Sequence, residues 1–349
     1  MCAAAGDMWK DKVSPSAIRD ALPSTAVSTI RRSSTMCAPR ISFAPPMDSL
    51  FLLVFCLLVG VLLQRVPSLP KNAAITLNQY VLYVPLPALA LYHIPEISGG
   101  AELLYPIAVA WICFGAAWLF FGGLRRVFGW SRKLTGCLIL CAGLGNTSFV
   151  GFPVIEAAYG KEALGTALLV DQPGSFVVLS TLGIIVATIY SRQQVDVLAM
   201  SKKILLFPPF IGFAFAVLMN VFDLHFSEGV RGGLLRIGNS VTPVALIAVG
   251  LQLRIEKRSK HWGFLGLGLT YKLLLAPALI FLLYVVLLDG TGKVVRVSVL
   301  ESAMAPMITA TILASSHGLK PRLANMMVGI GIPLSLITVA LWYYVLEWI

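Results

Sequence analysis

Four ionisable residues stand inside or at the edges of long apolar runs: Glu156, Asp171, Lys272 and Glu301. A charge at membrane depth is expensive, and its ordinary reading is functional. Asp171, in the string VDQPGS beside Pro173, is the candidate for proton or cation coupling, with Glu301 as a second. Two readings stand for Lys272. It attracts an anionic substrate or pairs with an acid, or it snorkels to the membrane surface. Glu156 and Glu301 lie nearer the run ends, where an interfacial role competes with a site role.

Two polar strings interrupt the runs and supply the rest of the candidate site. The first is GNTSFVGFP, Gly145 to Pro153; the second is ESAMAPMITATILASSHG, Glu301 to Gly318. Glycine permits close backbone approach, and short Asn, Thr and Ser side chains can cap freed backbone groups. Pro153 suits the first turn of a restarted helix, and Pro306 is expected to do the same in the second string. A restarted helix presents free N–H groups and a positive dipole end, which suits an anion. The candidate binding residues are therefore Asn146, Thr147, Ser148, Gly151, Pro153, Ala305, Pro306, Thr309 and Lys272.

The elements that must position them are membrane spans. The 349 residues are 58% hydrophobic and 12% charged, with a mean hydropathy of +0.85. Soluble domains carry about a quarter charged residues, so this composition defines a helical membrane protein. The runs are continuous rather than alternating, which excludes a β-barrel. Ten spans are expected, near 48–64, 74–95, 102–122, 134–159, 163–190, 203–222, 233–253, 263–287, 296–317 and 322–346. Irregular backbone at bilayer depth survives only where protein or a wet cavity covers it. The two interrupted spans, the fourth and the ninth, therefore mark a site.

The halves repeat. Pro87, Pro153, Gly160 and Pro173 recur in order as Pro243, Pro306, Gly318 and Pro333 at a near-constant offset. Five spans per repeat force the second copy to be inverted. This gives one repeat over 47–195 and an inverted repeat over 196–349. Lys and Arg concentrate in alternate loops. Arg125, Arg126, Arg132 and Lys133 lie in one, and Arg254, Lys257, Arg258 and Lys260 in another; the intervening loops are poorer. The positive-inside rule puts the richer loops in the cytoplasm and both ends of the core outside. The net charge of +11 reflects this topology and not nucleic-acid binding. Residues 1–46 carry six basic residues on the wrong side, without the apolar core of a signal peptide. They are read as a mis-assigned start upstream of Met47 or as a disordered extension.

Further polar groups have plainer readings. Cys137 and Cys141, four apart, are packing residues rather than a metal or redox pair. Asn78, Gln79, Asn239, Thr242 and Gln252 suit interhelical hydrogen bonds. His93 and His317 suit ordinary interfacial positions, and Trp342, Tyr343, Tyr344 and Trp348 an aromatic belt. No nucleophile elbow, HExxH, Walker A or paired-carboxylate motif is present, so neither an enzyme nor a cofactor is expected.

Taken together, residues 47–349 resemble the auxin efflux carrier family, which includes bacterial organic-acid permeases and plant auxin exporters. The resemblance rests on LLVGVLLQRVPSLPKNAAITLNQYVLYVPLPALAL, GNTSFVGFPVIEAAYG, TPVALIAVGLQL and ESAMAPMITATILASSHGLKPRLA, in that order. It implies an all-α, ten-helix, five-plus-five inverted-repeat carrier of the bile-acid-symporter and Na⁺/H⁺-antiporter type, with two crossing broken helices and elevator-like alternating access. It also implies homodimers in the plasma (inner) membrane. The family's crossover Asn and Pro fall on Asn146 and Pro153, and its second crossover Pro on Pro306. The chain departs from the plant proteins in having a short basic link near 191–203 and Asn-Thr-Ser at the crossover, so auxin is not the expected substrate. The expected function is secondary transport of a small organic anion, a mono- or dicarboxylate, with H⁺ or Na⁺ coupling. The alternatives are an ion-coupled carrier of a non-anionic solute and a ligand sensor without flux.

Overall fold

The computed structural model describes residues 47–70, 72–97, 100–191, 206–253 and 261–348. The readings of 1–46, of most of the basic link and of the 254–260 charges fall outside the described residues. Among the described residues the chain is helical throughout, apart from one antiparallel bridge between Gly145 and Pro306.

Among the described residues six helices are long and apolar enough to cross a membrane: α2 Ala73–Glu96, α3 Ala101–Phe128, α6 Lys161–Ser191, α8 Glu228–Gln252, α9 Trp262–Leu287 and α12 Pro321–Glu347. Two apolar helices are shorter, α1 Met47–Leu63 and α7 Pro208–Val221. The expected fourth and ninth spans are each two half-helices. α4 Arg132–Gly143 is followed by α5 Phe152–Tyr159, and α10 Lys293–Ser302 by α11 Ile308–Ser316.

Proline explains most local departures from regular helix. It removes a backbone donor and crowds the preceding turn. The backbone of α2 breaks at Val84 (φ −121°, ψ −69°), just before Pro85 and Pro87. In α6 the turn over Val170–Phe176 widens around Pro173, whose carbonyl accepts a 3.2 Å bond from Trp111 Nε1. A second widened turn, Tyr271–Leu275, precedes Pro277 in α9 and carries Lys272. Widened turns of this kind are frequent at functional sites.

The helices sort into two packed groups. α1, α2, α7 and α8 pack on one another, and α3, α4, α6 and α9 to α12 surround the breaks. In the first group α1 meets α8 backbone to backbone. A Cβ on Gly250 would overlap the Leu57 carbonyl and come within 2.8 Å of Gly60 Cα. Gln64 Nε2 then donates to the carbonyls of Gly250 (2.7 Å) and Leu253 (3.0 Å) at the end of α8. α7 meets α2 similarly, since a Cβ on Gly212 would lie 2.8 Å from Pro87 Cβ. In the second group α4 is buried all round from Leu134 to Gly143, as expected of a helix apolar on every face. Cys137 and Cys141 lie on one buried face of α4 with their sulfurs 4.0 Å apart, and Phe114 and Phe121 of α3 are fully buried.

Candidate functional site

Each broken helix frees backbone groups that no water can satisfy in a bilayer. Here each break satisfies the other. Asn146 N–H donates to Ala305 C=O at 2.8 Å, and Met307 N–H donates to Leu144 C=O at 3.1 Å. Two short extended segments thus cross and pair at the centre of the second group. This explains why both strings are short and rich in small residues. Gly331 of α12 packs against the Pro306 ring, where a Cβ would come within 2.7 Å of Cδ.

The polar side chains of the first string then organise its restart. Asn146 Oδ1 accepts from Phe149 N–H at 3.2 Å, and Asn146 C=O accepts from Val150 and Gly151. Thr147 Oγ1 donates to Asp171 Oδ1 at 2.5 Å, and Ser148 Oγ donates to the same oxygen. Gln172 Nε2 donates to Asp171 Oδ2 at 2.6 Å. Both oxygens of this buried carboxylate are therefore engaged. Four polar atoms on three nearby residues are buried without a partner: Asn146 Nδ2, Gln172 Oε1 and both carboxylate oxygens of Glu301.

Beside the crossing lies a cavity of about 280 Å³. Its polar wall is Asn146, Ser148, Asp171, Gln172, Ser180 and Thr309. Its apolar wall includes Phe149, Phe176, Phe207, Met307 and Leu82. Thr309 sits in the first turn of α11, whose first helical bond is Thr311 N–H to Met307 C=O at 3.1 Å. The N–H groups before it are of the kind that helix starts leave without an intrahelical partner.

Four of the expected site residues thus meet on the cavity: Asn146, Ser148, Thr309 and Asp171. Thr147 stands one layer behind, on Asp171. Gly151, Pro153, Ala305, Pro306, Lys272 and Glu301 do not line the cavity. Pro153 opens α5 as expected, whereas Pro306 does not open α11. It lies in the crossing segment two residues earlier, where a missing N–H costs no ladder bond. Lys272 does not snorkel: it is 1% exposed, and its ammonium donates to Ser302 C=O at 2.8 Å, at the end of α10. A cation there complements the negative end of the helix. Glu301 is not interfacial but fully buried. Glu156 is nearer the surface, accepts from Thr242 Oγ1 at 2.5 Å, and has Lys161 at 4.0 Å. Residues missed from sequence are Gln172, Ser180, Phe176, Phe207 and Met307. Only Gln172 carried a signal, as an amide beside Asp171 in an apolar run.

Helices apolar enough to cross a bilayer, arranged around two crossed broken helices, define a polytopic helical membrane protein. A family model described as membrane transport protein matches residues 45–343, and the chain belongs to that family, the auxin efflux carriers. An uncharacterized transporter of Methanocaldococcus jannaschii is 24% identical over 310 residues, covering 86% of this chain and 99% of that protein. An uncharacterized transporter of Methanothermobacter thermautotrophicus is 27% identical over 296 residues, covering 83% and 94%. A probable auxin efflux carrier component 5a of Oryza sativa is 29% identical over 140 residues, covering 40% of this chain and 38% of that protein. The protein is thus a membrane transporter and not an enzyme.

Proposed function

We propose that the chain is a secondary active carrier of a small organic anion, a carboxylate with an apolar body, working by alternating access around the crossing. The observation that carries this reading is the two-faced cavity. One wall offers the unpartnered Asn146 amide donor and the first turn of α11; the other offers Phe149, Phe176 and Phe207. A carboxylate takes the first and an apolar body the second. None of the described residues that line the cavity is basic, which favours a monocarboxylate over a dicarboxylate.

The same reading includes ten crossings as two inverted repeats of five helices. The reciprocal hydrogen bonds at the crossing support it, as does the pairing of α1 with α8 and of α7 with α2. The cavity walls extend to Ile184 near the end of α6, Phe207 before α7 and Leu313 near the end of α11. Ile184 and Phe207 flank the basic link, which the positive-inside rule puts in the cytoplasm, and we read this conformation as open on that side. A homodimer in the plasma membrane completes the proposal.

A second reading, an ion-coupled carrier of a neutral solute, is favoured by the Asp171 carboxylate on the cavity wall. A counterflow panel in proteoliposomes separates the two. Branched and aromatic monocarboxylates, dicarboxylates and the neutral amides of each acid are tested as trans-substrates. Exchange with the monocarboxylates alone supports the first reading, and exchange with the amides overturns it.

A further inference from the structure

Among the described residues, Glu301 is the one buried carboxylate that the cavity does not use. It is 0% exposed, in the last turn of α10, and neither of its oxygens has a hydrogen-bond partner. The group sits against the start of α5, where a Cβ on Gly151 would overlap the carboxylate. Only glycine at 151 lets the acid come this close.

The charged groups around Glu301 are all committed elsewhere. Asp171 of α6 faces it, but its oxygens take up Thr147, Ser148 and Gln172. Lys272 of α9 faces it, but its ammonium is bound to Ser302 C=O, and no ion pair within 4.0 Å joins it to Glu301 among the described residues. Cys113 of α3 stands near Lys272 in turn. Glu156 of α5 is held by Thr242, and Glu347 of α12 is paired with Arg296 at 3.2 Å.

A fully buried carboxylate whose oxygens have no hydrogen-bond partner in the protein is strongly disfavoured as a bare anion. It requires a cation. A metal ion needs several ligands around it, and among the described residues no group of three or more carboxylate, histidine or cysteine side chains is placed to hold one. A proton needs only the carboxylate itself.

The place of Lys272 and Glu301 relative to the cavity follows from the extended backbone at the crossing, since a Cβ on Gly145 would also lie 3.5 Å from the Glu301 carbonyl oxygen. Successive residues of an extended segment point to opposite faces. A Cβ on Gly145 would point at Lys272 Nζ, 3.0 Å away, while Asn146 lines the cavity. We propose that Glu301 is a proton-binding site on the opposite face of the crossed segments from the substrate cavity, so that the ion coupled to transport is H⁺ and substrate and proton act on the same two paired strings from opposite sides. This rests on the carrier reading above.

The test needs no substrate. Proteoliposomes on a solid-supported membrane are given a pH jump or a Na⁺ jump, and the transient charge displacement is recorded. The wild type is expected to displace charge on the pH jump and not on the Na⁺ jump. Glu301→Gln is expected to lose the displacement at least tenfold, and Glu162→Gln, an exposed carboxylate in the first turn of α6, to keep it. An unchanged signal in Glu301→Gln overturns the proposal, as does a Na⁺-driven signal that this variant removes. If Glu301→Gln does not fold, the wild type decides. An apolar carbodiimide, which attacks protonated buried carboxyls, should modify Glu301 by peptide mass mapping, with no protection by Na⁺. An unmodified Glu301 across the pH range overturns the proposal. A lost charge displacement with intact flux indicts this assignment; intact displacement with no flux of any acid indicts the substrate reading instead.

Discussion

Replacing Asp171 separates its role as a hydrogen-bond hub from its role as a charge. In Asp171→Ala three donors, Thr147 Oγ1, Ser148 Oγ and Gln172 Nε2, lose their acceptor at once. An abandoned buried donor costs about 1–3 kcal/mol. Asp171 borders the cavity, so water can reach part of the gap and the lower bound applies, giving about 3 kcal/mol in total. At about 2 °C per kcal/mol for a chain of this length, Tm should fall by about 6 °C. Asp171→Asn behaves differently for a structural reason. The new amide keeps its oxygen toward Thr147 and Ser148 and turns its NH₂ toward Gln172. Gln172 Oε1 is buried without a partner, so a flip of that amide lets it accept the new donor. The cost should stay under about 1 kcal/mol. The assay is thermal unfolding of purified protein in one detergent, followed by monodispersity. Equal falls for the two variants, or an Asp171→Ala protein as stable as wild type, would refute the hub.

Three further predictions follow from other parts of the molecule. Gly250→Val drives a side chain into the Leu57 carbonyl, and overpacking of this kind costs about 1–3 kcal/mol, read as a Tm loss in the same assay. Thr242→Val removes the 2.5 Å bond to Glu156 that ties α8 to α5, while the 2.9 Å Lys161–Asn239 bond remains beside it. Losing a hydrogen bond to a charged group shifts a two-state balance about tenfold or more. A Thr309→Cys reporter should therefore become labelled by an impermeant maleimide from the side away from the basic link; unchanged sidedness would remove this latch from the account. His225, in the loop between α7 and α8, lies 3.1 Å from both Glu96 and Asp223. Its hydrogen bonds to Asp223 and then Glu96 raise its pKa above the ordinary imidazole value. The stabilisation is therefore full below the ordinary histidine range and is lost as pH climbs through the raised value. The Tm advantage of wild type over His225→Gln should be largest below the ordinary histidine range and shrink as pH rises above it; a constant difference would show that no titration is involved.

The strings that build the site were legible because membrane physics makes them conspicuous. A run such as GNTSFVGFP has no reason to interrupt an apolar span unless something covers its backbone. What covers it was not legible. The pairing of Asn146 with Ala305 and of Met307 with Leu144 joins residues far apart in sequence, and backbone bonds leave no mark on side-chain identity. For the same reason Pro306 read as a helix start when it is part of the crossing. Lys272 was undecided because depth along a span does not say which face of the helix looks inward; the widened turn at Tyr271–Leu275 turns it to the core. Glu301 was left between an interfacial and a coupling role by its distance to the span end; α10 stops at Ser302, and Glu301 is fully buried there. Phe207 and Met307 were invisible as cavity walls, since an apolar residue in an apolar chain carries no signal.

The most direct test of the central claim is saturable uptake of labelled monocarboxylates into proteoliposomes under an imposed pH gradient, for wild type and Asn146→Ala. The account predicts flux that follows the gradient in the wild type and falls at least tenfold in the variant, since Asn146 supplies both the Phe149 cap and the free amide on the cavity. Wild-type flux that Asn146→Ala leaves intact in a correctly folded protein would contradict it.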